Sequence, residues 1–467
     1  MTIRSVGPNS DFPTIAAAMN AAGPGDTIKL EAGYSNETAT VQFSGMTING
    51  GIHSHGIVLT LGTGIATVTM TGTAPFHLQD ASDGNGIVGN AGNNVITVSD
   101  GIDAVDGGLG VDRLVVDYSH ATGAVTGDST SNFSEAGGGG RSVTVTDGTI
   151  ENFTVLTGSG ADTITTGAGN DTIKTGQGAS TVSAGQGHNV IMGGANADTV
   201  TALDGGNTIN VGGGTNTVTT GGGQDIIFSG TGADTIVSGG GNDLVHLLGG
   251  ADSVDAGAGA DRLFVNFGAM TSNVSGGVTG GNLGSGYVGH IADLLGSSVD
   301  FQNAERFTIT TGAGKDHLST GNGADVLHGG AAADVLNGGG GRDHLFGDAG
   351  ADRLRGGLGN DVLTGGSGAD VFIFASIAET GTTGGHDVIT DFTVGSDRIN
   401  LTGIDANWNV AANQAFHFIG SDGFSSTAGE LRYAGGMISG DLNGDGHADF
   451  NIEVGALSGL TQADFVL

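Results

Sequence analysis

Along much of this chain one aliphatic residue recurs every nine positions, set among glycine, threonine and acidic residues. From Thr157 the units read TGSGADTIT, TGAGNDTIK, TGQGASTVS and AGQGHNVIM, and the frame holds through twelve units to Phe264. Their eighth position is always aliphatic, from Ile164 and Ile173 through Ile209 and Val218 to Val254 and Leu263. A second array from Thr311 to Ile373 adds seven units with Asp at every sixth place: Asp316, Asp325, Asp334, Asp343, Asp352, Asp361 and Asp370. A short run from Gly89 to Val115 carries Asn94, Asp103 and Asp112 there. One aliphatic residue among small or polar ones predicts a very short strand with a single inward side chain, and the glycines turn the chain. Two units then make one coil, strands of alternate units stack in parallel about 4.8 Å apart, and acids two units apart become neighbours on one edge. A glycine-rich linker with scattered acids would not keep the aliphatic residues in phase.

Composition narrows the choice. Of 467 residues 95 are glycine, far above the ~7% of average usage, which excludes an ordinary helical or doubly wound domain. Four prolines and no G-X-Y period exclude collagen, and 37% hydrophobic content argues against disorder. The net charge of −35 argues against nucleic acid or an anionic membrane as partner and asks for a cation. Without cysteine there is no disulfide framework and no thiolate zinc site, so hard oxygen-liganded cations remain. An unscreened aspartate ladder would repel itself; calcium, which takes 6 to 8 oxygens from carboxylates and carbonyls, removes the conflict. No stretch approaches the ~20 apolar residues of a transmembrane segment, and MTIRSVGPNS lacks the apolar core of a secretory signal peptide.

The nine-residue pattern G-G-x-G-x-D-x-U-x resembles the RTX (repeats-in-toxin) calcium β-rolls of bacterial exported proteins. The resemblance implies an all-β fold, a right-handed parallel β-helix or calcium β-roll solenoid, with multiple Ca2+ held between turns by sixth-position carboxylates and glycine-loop carbonyls. The central array carries Asp162, Asp171, Ser180, Asn189, Asp198, Asn207, Asn216, Asp225, Asp234, Asp243, Asp252 and Asp261 at that place. Paired acids remain only at Asp225/Asp243, Asp234/Asp252 and Asp243/Asp261, whereas all seven Asp of the second array pair. The stretch from Thr175 to Thr219 is therefore expected to be calcium-poor, held by strand hydrogen bonds, the aliphatic stack and Asn or Thr side chains.

Six segments follow: 1–88, an N-terminal cap and first coils; 89–156, the short run plus an insertion; 157–264, the central solenoid; 265–310, a second insertion; 311–373, a calcium β-roll; and 374–467, a C-terminal β domain. The insertions resemble each other, since Asp112-Arg113-Leu114 matches Asp261-Arg262-Leu263 and Glu151 matches Glu305, which suggests an internal duplication whose inserts pack on the solenoid side. Residues 11–31 read as a short Ala-rich helix with Pro13 in its first turn, stopped by Gly23-Pro24 and followed by a strand. With MTINGG this segment resembles the cap and first coils of pectate-lyase-like β-helices.

The last hundred residues, with Asp370-Val371-Phe372, Asp387-Val388-Ile389-Thr390-Asp391-Phe392, Asp397, AGELRY and DLNGDGHADF, resemble the C-terminal domain of serralysin-type RTX exoproteins. That resemblance implies an uncleaved C-terminal signal for a type I exporter; the catalytic zinc domain of those proteases is absent. Asp441, Asn443, Asp445 and Asp449 have calcium-loop spacing, but Ile452 stands where a twelfth-position acid belongs, so the loop reads as a weaker calcium site or a polar turn.

The expected protein is thus secreted without an N-terminal signal peptide and folds on extracellular calcium. It reads as a structural surface component of surface-layer, matrix or adhesin type, with self-assembly or cell-surface polysaccharide as possible attachments. The alternative is a carbohydrate-active β-helix enzyme of polysaccharide lyase or epimerase type using the region before residue 156. Its only cationic residues there are Arg4, Lys29, Arg113 and Arg141, and His53 and His55, on one face of a strand, read as a surface pair. Ice binding along a flat face would want regular Thr rows, and the third position of the units, taken as outward, is irregular.

Overall fold

The computed structural model describes residues 1–80, 83–137, 140–380 and 385–467; residues 381–384 of the expected C-terminal β domain lie outside the described residues. The chain divides into two compact units, Met1–Ser229 and Gly230–Leu467. Each is built almost wholly of two parallel sheets that face each other across a thin aliphatic core, the architecture of a β-roll or β-helix solenoid. No helix among the described residues is long and apolar enough to cross a membrane.

In the first unit, strands Thr27–Leu30, Met46–Gly50, Thr67–Gly72 and Gly86–Val88 stack in parallel on one sheet. Ser35–Val41, His55–Leu61, Phe76–Gln79 and Val95–Val98 stack on the other. The nonapeptides then take over. Thr163–Thr165, Thr181–Ser183, Thr199–Thr201 and Thr217–Thr219 continue the first sheet. The alternate strands Thr172–Lys174, Val190–Met192, Thr208–Asn210 and Ile226–Phe228 continue the second. Each three-residue strand buries its middle residue, and Ile164, Ile173, Ile209, Val218 and Ile227 are fully enclosed. Stacking is tight enough that the turns require glycine: at Gly178, with φ +118°, a Cβ would collide with the Gly160 carbonyl of the neighbouring coil.

A short helix, Ile15–Asn20, covers the first coils with Ile15, Ala18 and Met19 buried. Thr14 caps it through Oγ1, which accepts from Ala17 N–H, and the Glu37 carboxylate accepts from the Ile15 and Ala16 N–H groups. Pro13 stands just outside the cap rather than in the first turn, because the hydroxyl of Thr14 satisfies the helix start. His53 adopts left-handed backbone, φ 62°, in a turn before the strand that opens at His55, so the two histidines do not share a strand face.

Both insertions enter a sheet instead of packing beside it. In the first unit Val125–Asp128 and Asn132–Glu135 form an antiparallel hairpin that joins Ser142–Val145 on one side and Thr163–Thr165 on the other. In the second unit Val274–Asn282 and Gly286–Asp293 do the same between Ser298–Ala304 and His317–Ser319. A hairpin placed this way leaves no open edge in the sheet it interrupts.

Beyond the second insertion, His317–Ser319, Val335–Gly341, Arg353–Gly359 and Val371–Ile373 stack on one sheet. Val326–His328, His344–Phe346, Val362–Thr364 and Asp387–Ile389 stack on the other. Coil geometry thus runs past residue 373, and the second sheet continues into Phe450–Glu453 and the antiparallel strands Met437–Asp441 and Glu430–Ala434.

With one apolar side chain per strand, every rung matters. Replacing the buried Ile209 by Ala is expected to cost about 2 to 5 kcal/mol, read as a lower denaturant midpoint in calcium; an unchanged midpoint would contradict the single-residue core.

Candidate calcium ladder

The sixth-position carboxylates form a file of buried groups along the edge of the strands. In the second unit the Oδ1 of Asp334 accepts the main-chain N–H of Asp316 at 2.7 Å, and the same bond recurs from Asp325 N–H to Asp343, Asp334 N–H to Asp352, Asp343 N–H to Asp361 and Asp352 N–H to Asp370. Asp316 and Asp325 bind Val274 and Phe307 N–H in the same way, and Asp252 and Asp261 bind the N–H groups of Asp234 and Asp243. Asp225, in the first unit, accepts from both N–H and Nδ2 of Asn207. All these carboxylates are buried.

Their other oxygens decide the chemistry. The Oδ2 atoms of Asp252, Asp261, Asp316, Asp325, Asp334, Asp343, Asp352, Asp361 and Asp370 are buried with no hydrogen-bond partner. They converge with main-chain carbonyls: a Cβ placed on Gly347 would stand 2.6 Å from both Asp352 Oδ2 and the Gly365 carbonyl. Acceptors facing acceptors, with no donor between them, suit a hard cation and little else. Among the described residues no three His, Cys, Asp or Glu side chains gather closely enough to hold a metal by themselves, so main-chain carbonyls would supply much of the coordination.

Where the ladder carries Asn, a donor fills that place. Asn207 Nδ2 donates to the Gly205 carbonyl at 2.9 Å and the Leu203 carbonyl at 3.2 Å, and Asn189 Nδ2 to those of Gly187 and Gly185. Asn216 reaches the Gly214 and Gly213 carbonyls, and in the short run Asn94 reaches that of Gly92. Asp198 satisfies its Oδ2 with the Gly194 N–H, and Asp162 does so with the Thr157 hydroxyl. No carboxylate oxygen between Thr175 and Thr219 is buried without a partner.

The charge file is costly without a cation. Burial, with repulsion from Asp234, Asp243 and Asp316 beside them, pushes the carboxyls of Asp252, Asp261 and Asp334 up to about 7. Burial alone brings Asp325 to about 7. Burial, with repulsion from Asp325, Asp361 and Asp387 added, raises Asp343 to about 9.

Two rungs escape the nine-residue count. Asp387 and Asp397 accept the N–H groups of Asp361 and Asp370, extending both files past residue 373; Asp387 has an orphaned Oδ2 and is pushed by burial to about 8. Glu151 and Glu305 do the same across the insertions, accepting from Asp112 and Asp261 N–H. The C-terminal loop differs: Asp441 accepts from the Gly444 and Gly446 N–H groups, Asn443 and Asp445 from Asp445 and His447, and Asp449 from Leu442 and Asn443. Each of these side chains accepts at least one loop N–H, so the loop lacks the buried, partnerless oxygens of the ladder.

The family model described as RTX calcium-binding nonapeptide repeat (4 copies) matches residues 82–115, 154–182, 174–209, 201–236, 237–269, 310–345 and 337–372. The chain carries RTX calcium-binding repeats. Such repeats bind multiple Ca2+, and proteins that carry them are typically secreted. Among solved structures, the solution structure of the AlgE6R3 subunit of the Azotobacter vinelandii mannuronan C5-epimerase is 26% identical over 31% of this chain and 77% of that one, with a TM-score of 0.23. No curated protein matches the chain.

Three outcomes follow from the RTX ladder. Unfolded carboxylates ionise near ~4, while folded ones hold protons up to about 7 to 9, so the metal-free fold binds more protons than the unfolded chain. Its stability should be greatest in mild acid and fall as pH rises through that window, and calcium binding at neutral pH should release protons. Thermal melts in chelator check the first and titration in weak buffer the second; a midpoint rising with pH would contradict the scheme. Asp343→Asn should supply the donor seen at Asn207, raising the chelated midpoint while shrinking the shift that calcium produces; a lower chelated midpoint would argue against the orphaned-oxygen account.

Proposed function

We propose that the chain is an exported structural protein of the cell surface whose folding is switched on by extracellular calcium. The observation that carries the reading is the row of buried, unpartnered Oδ2 atoms from Asp316 to Asp370. At the low free calcium of the cytoplasm that row opposes folding, and the chain stays loose enough for a type I exporter. Outside, calcium at the millimolar scale saturates sites with dissociation constants on the order of 10⁻⁴ to 10⁻³ M, and binding energy becomes folding energy. The ligands would be Asp225, Asp234, Asp243, Asp252, Asp261 and the seven Asp of the second array. The stretch from Thr175 to Thr219, tied by amides, would bind little. The last hundred residues would carry the export signal.

A surface-layer, matrix or adhesin role fits a chain given over to coils. The arginines before residue 156 support this over polysaccharide cleavage, because they serve the fold: Arg4 pairs with Asp26 at 3.1 Å, Arg141 with Asp100 and Glu135 at 2.6 Å each, and Arg113 binds Thr154 and the Asn170 carbonyl.

Circular dichroism should show strand content appearing as calcium is added to chelated protein, and electron microscopy of the calcium form should show ordered sheets or filaments. Strand content indifferent to chelator would refute the switch, and monomers that cleave an acidic polysaccharide would refute the structural role.

A further inference from the structure

The outward residues of each short strand are the seventh and ninth of the repeat, on either side of the buried eighth. The irregular third position lies in the bends between strands, so it says nothing about the sheet faces. In the first unit one sheet presents Thr163, Thr181, Thr199 and Thr217 in one row and Thr165, Ser183, Thr201 and Thr219 in a second, paired one to one across the coils. The inserted strand adds Thr126 to the first row, and Asp128 closes the second. None of these eight hydroxyls bonds to another protein group among the described residues.

Threonine favours strands in general, but that preference would act on both sheets alike. The other sheet of the same unit, made by the same repeat, carries Lys174, Val190, Met192 and Ile226 outward with no regular row. The uniformity therefore belongs to one face. Its hydroxyls repeat about 4.8 Å apart across the coils and about 6.6 Å apart along each strand, on β-branched side chains with few rotamers. These two translations lie close to those of oxygen atoms on a plane of ice. The rows are uncharged within a chain of net charge −35, which matches a neutral lattice and gives a charged polymer nothing to pair with. A second, separate feature falls on the same coils: Asn189, Asn207 and Asn216 tie their turns by amide hydrogen bonds, so the grid holds its spacing without an ion.

We propose that the threonine face between Thr163 and Thr219 binds ice. The inference does not rest on the calcium switch or on the surface role. It is tested by growing ice slowly from a solution of the labelled full chain in calcium and measuring how much protein enters the solid. Wild type should concentrate in the ice. Thr181→Lys with Thr199→Lys should lose that enrichment to the level of an inert protein frozen beside it, whereas Thr208→Lys, on the opposite sheet, should keep it. Thr181→Val with Thr199→Val, which preserves the β-branched shape and so the fold, should also be depleted. Wild type excluded from ice, wild type held by an insoluble polysaccharide but excluded from ice, or full enrichment of both double variants would overturn the proposal.

Discussion

The fold depends on one repeated bond and on what that bond leaves over. Each ladder carboxylate gives Oδ1 to a main-chain N–H of a neighbouring coil, as Asp343 does for Asp325 at 2.8 Å, and so fixes the register of the stack. The same geometry turns Oδ2 inward among carbonyls, where burial makes the charge expensive. Strand pairing, the single aliphatic residue per strand and the glycine turns all accommodate this arrangement, but none of them removes the leftover charge.

The chain answers the problem in two ways. At Asn189, Asn207 and Asn216 an amide supplies the missing donor within the protein. From Asp316 to Asp370 no donor is supplied, and the RTX repeats there call on calcium. A change of one atom, oxygen for nitrogen, thus moves a rung from an orphaned oxygen to a satisfied donor, as at Asn189, Asn207 and Asn216, although orphaned oxygens also stand at Asp103, Asp112 and Asp171.

Much of this was legible in the sequence because it is periodic. The eighth-position residues are the core, the sixth-position acids are the buried file, and the Ala-rich segment after Thr14 is the capping helix. What escaped was aperiodic or depended on direction. Asp387 and Asp397 lie 26 and 27 residues from their ladder partners because extra chain intervenes, so no fixed count finds them. Glu151 and Glu305 were visible as a repeated motif, but only the folded chain shows that they bridge the insertions. The inserted hairpins were expected on the outside, since one-dimensional pattern does not reveal that a sheet can open to admit antiparallel strands. The threonine rows were hidden for a related reason: they appear only when alternate units are separated and the outward positions are known to be the seventh and ninth.

The central claim is that orphaned oxygens mark the ions. Crystals of the full chain grown with calcium, with the ions located by anomalous scattering, test it most directly. The account predicts calcium beside the rungs from Asp316 to Asp370, beside Asp387 and beside Asp252 and Asp261, and none at the turns between Thr175 and Thr219. Ions spread evenly through that amide-tied stretch, or none beside Asp343, would contradict it.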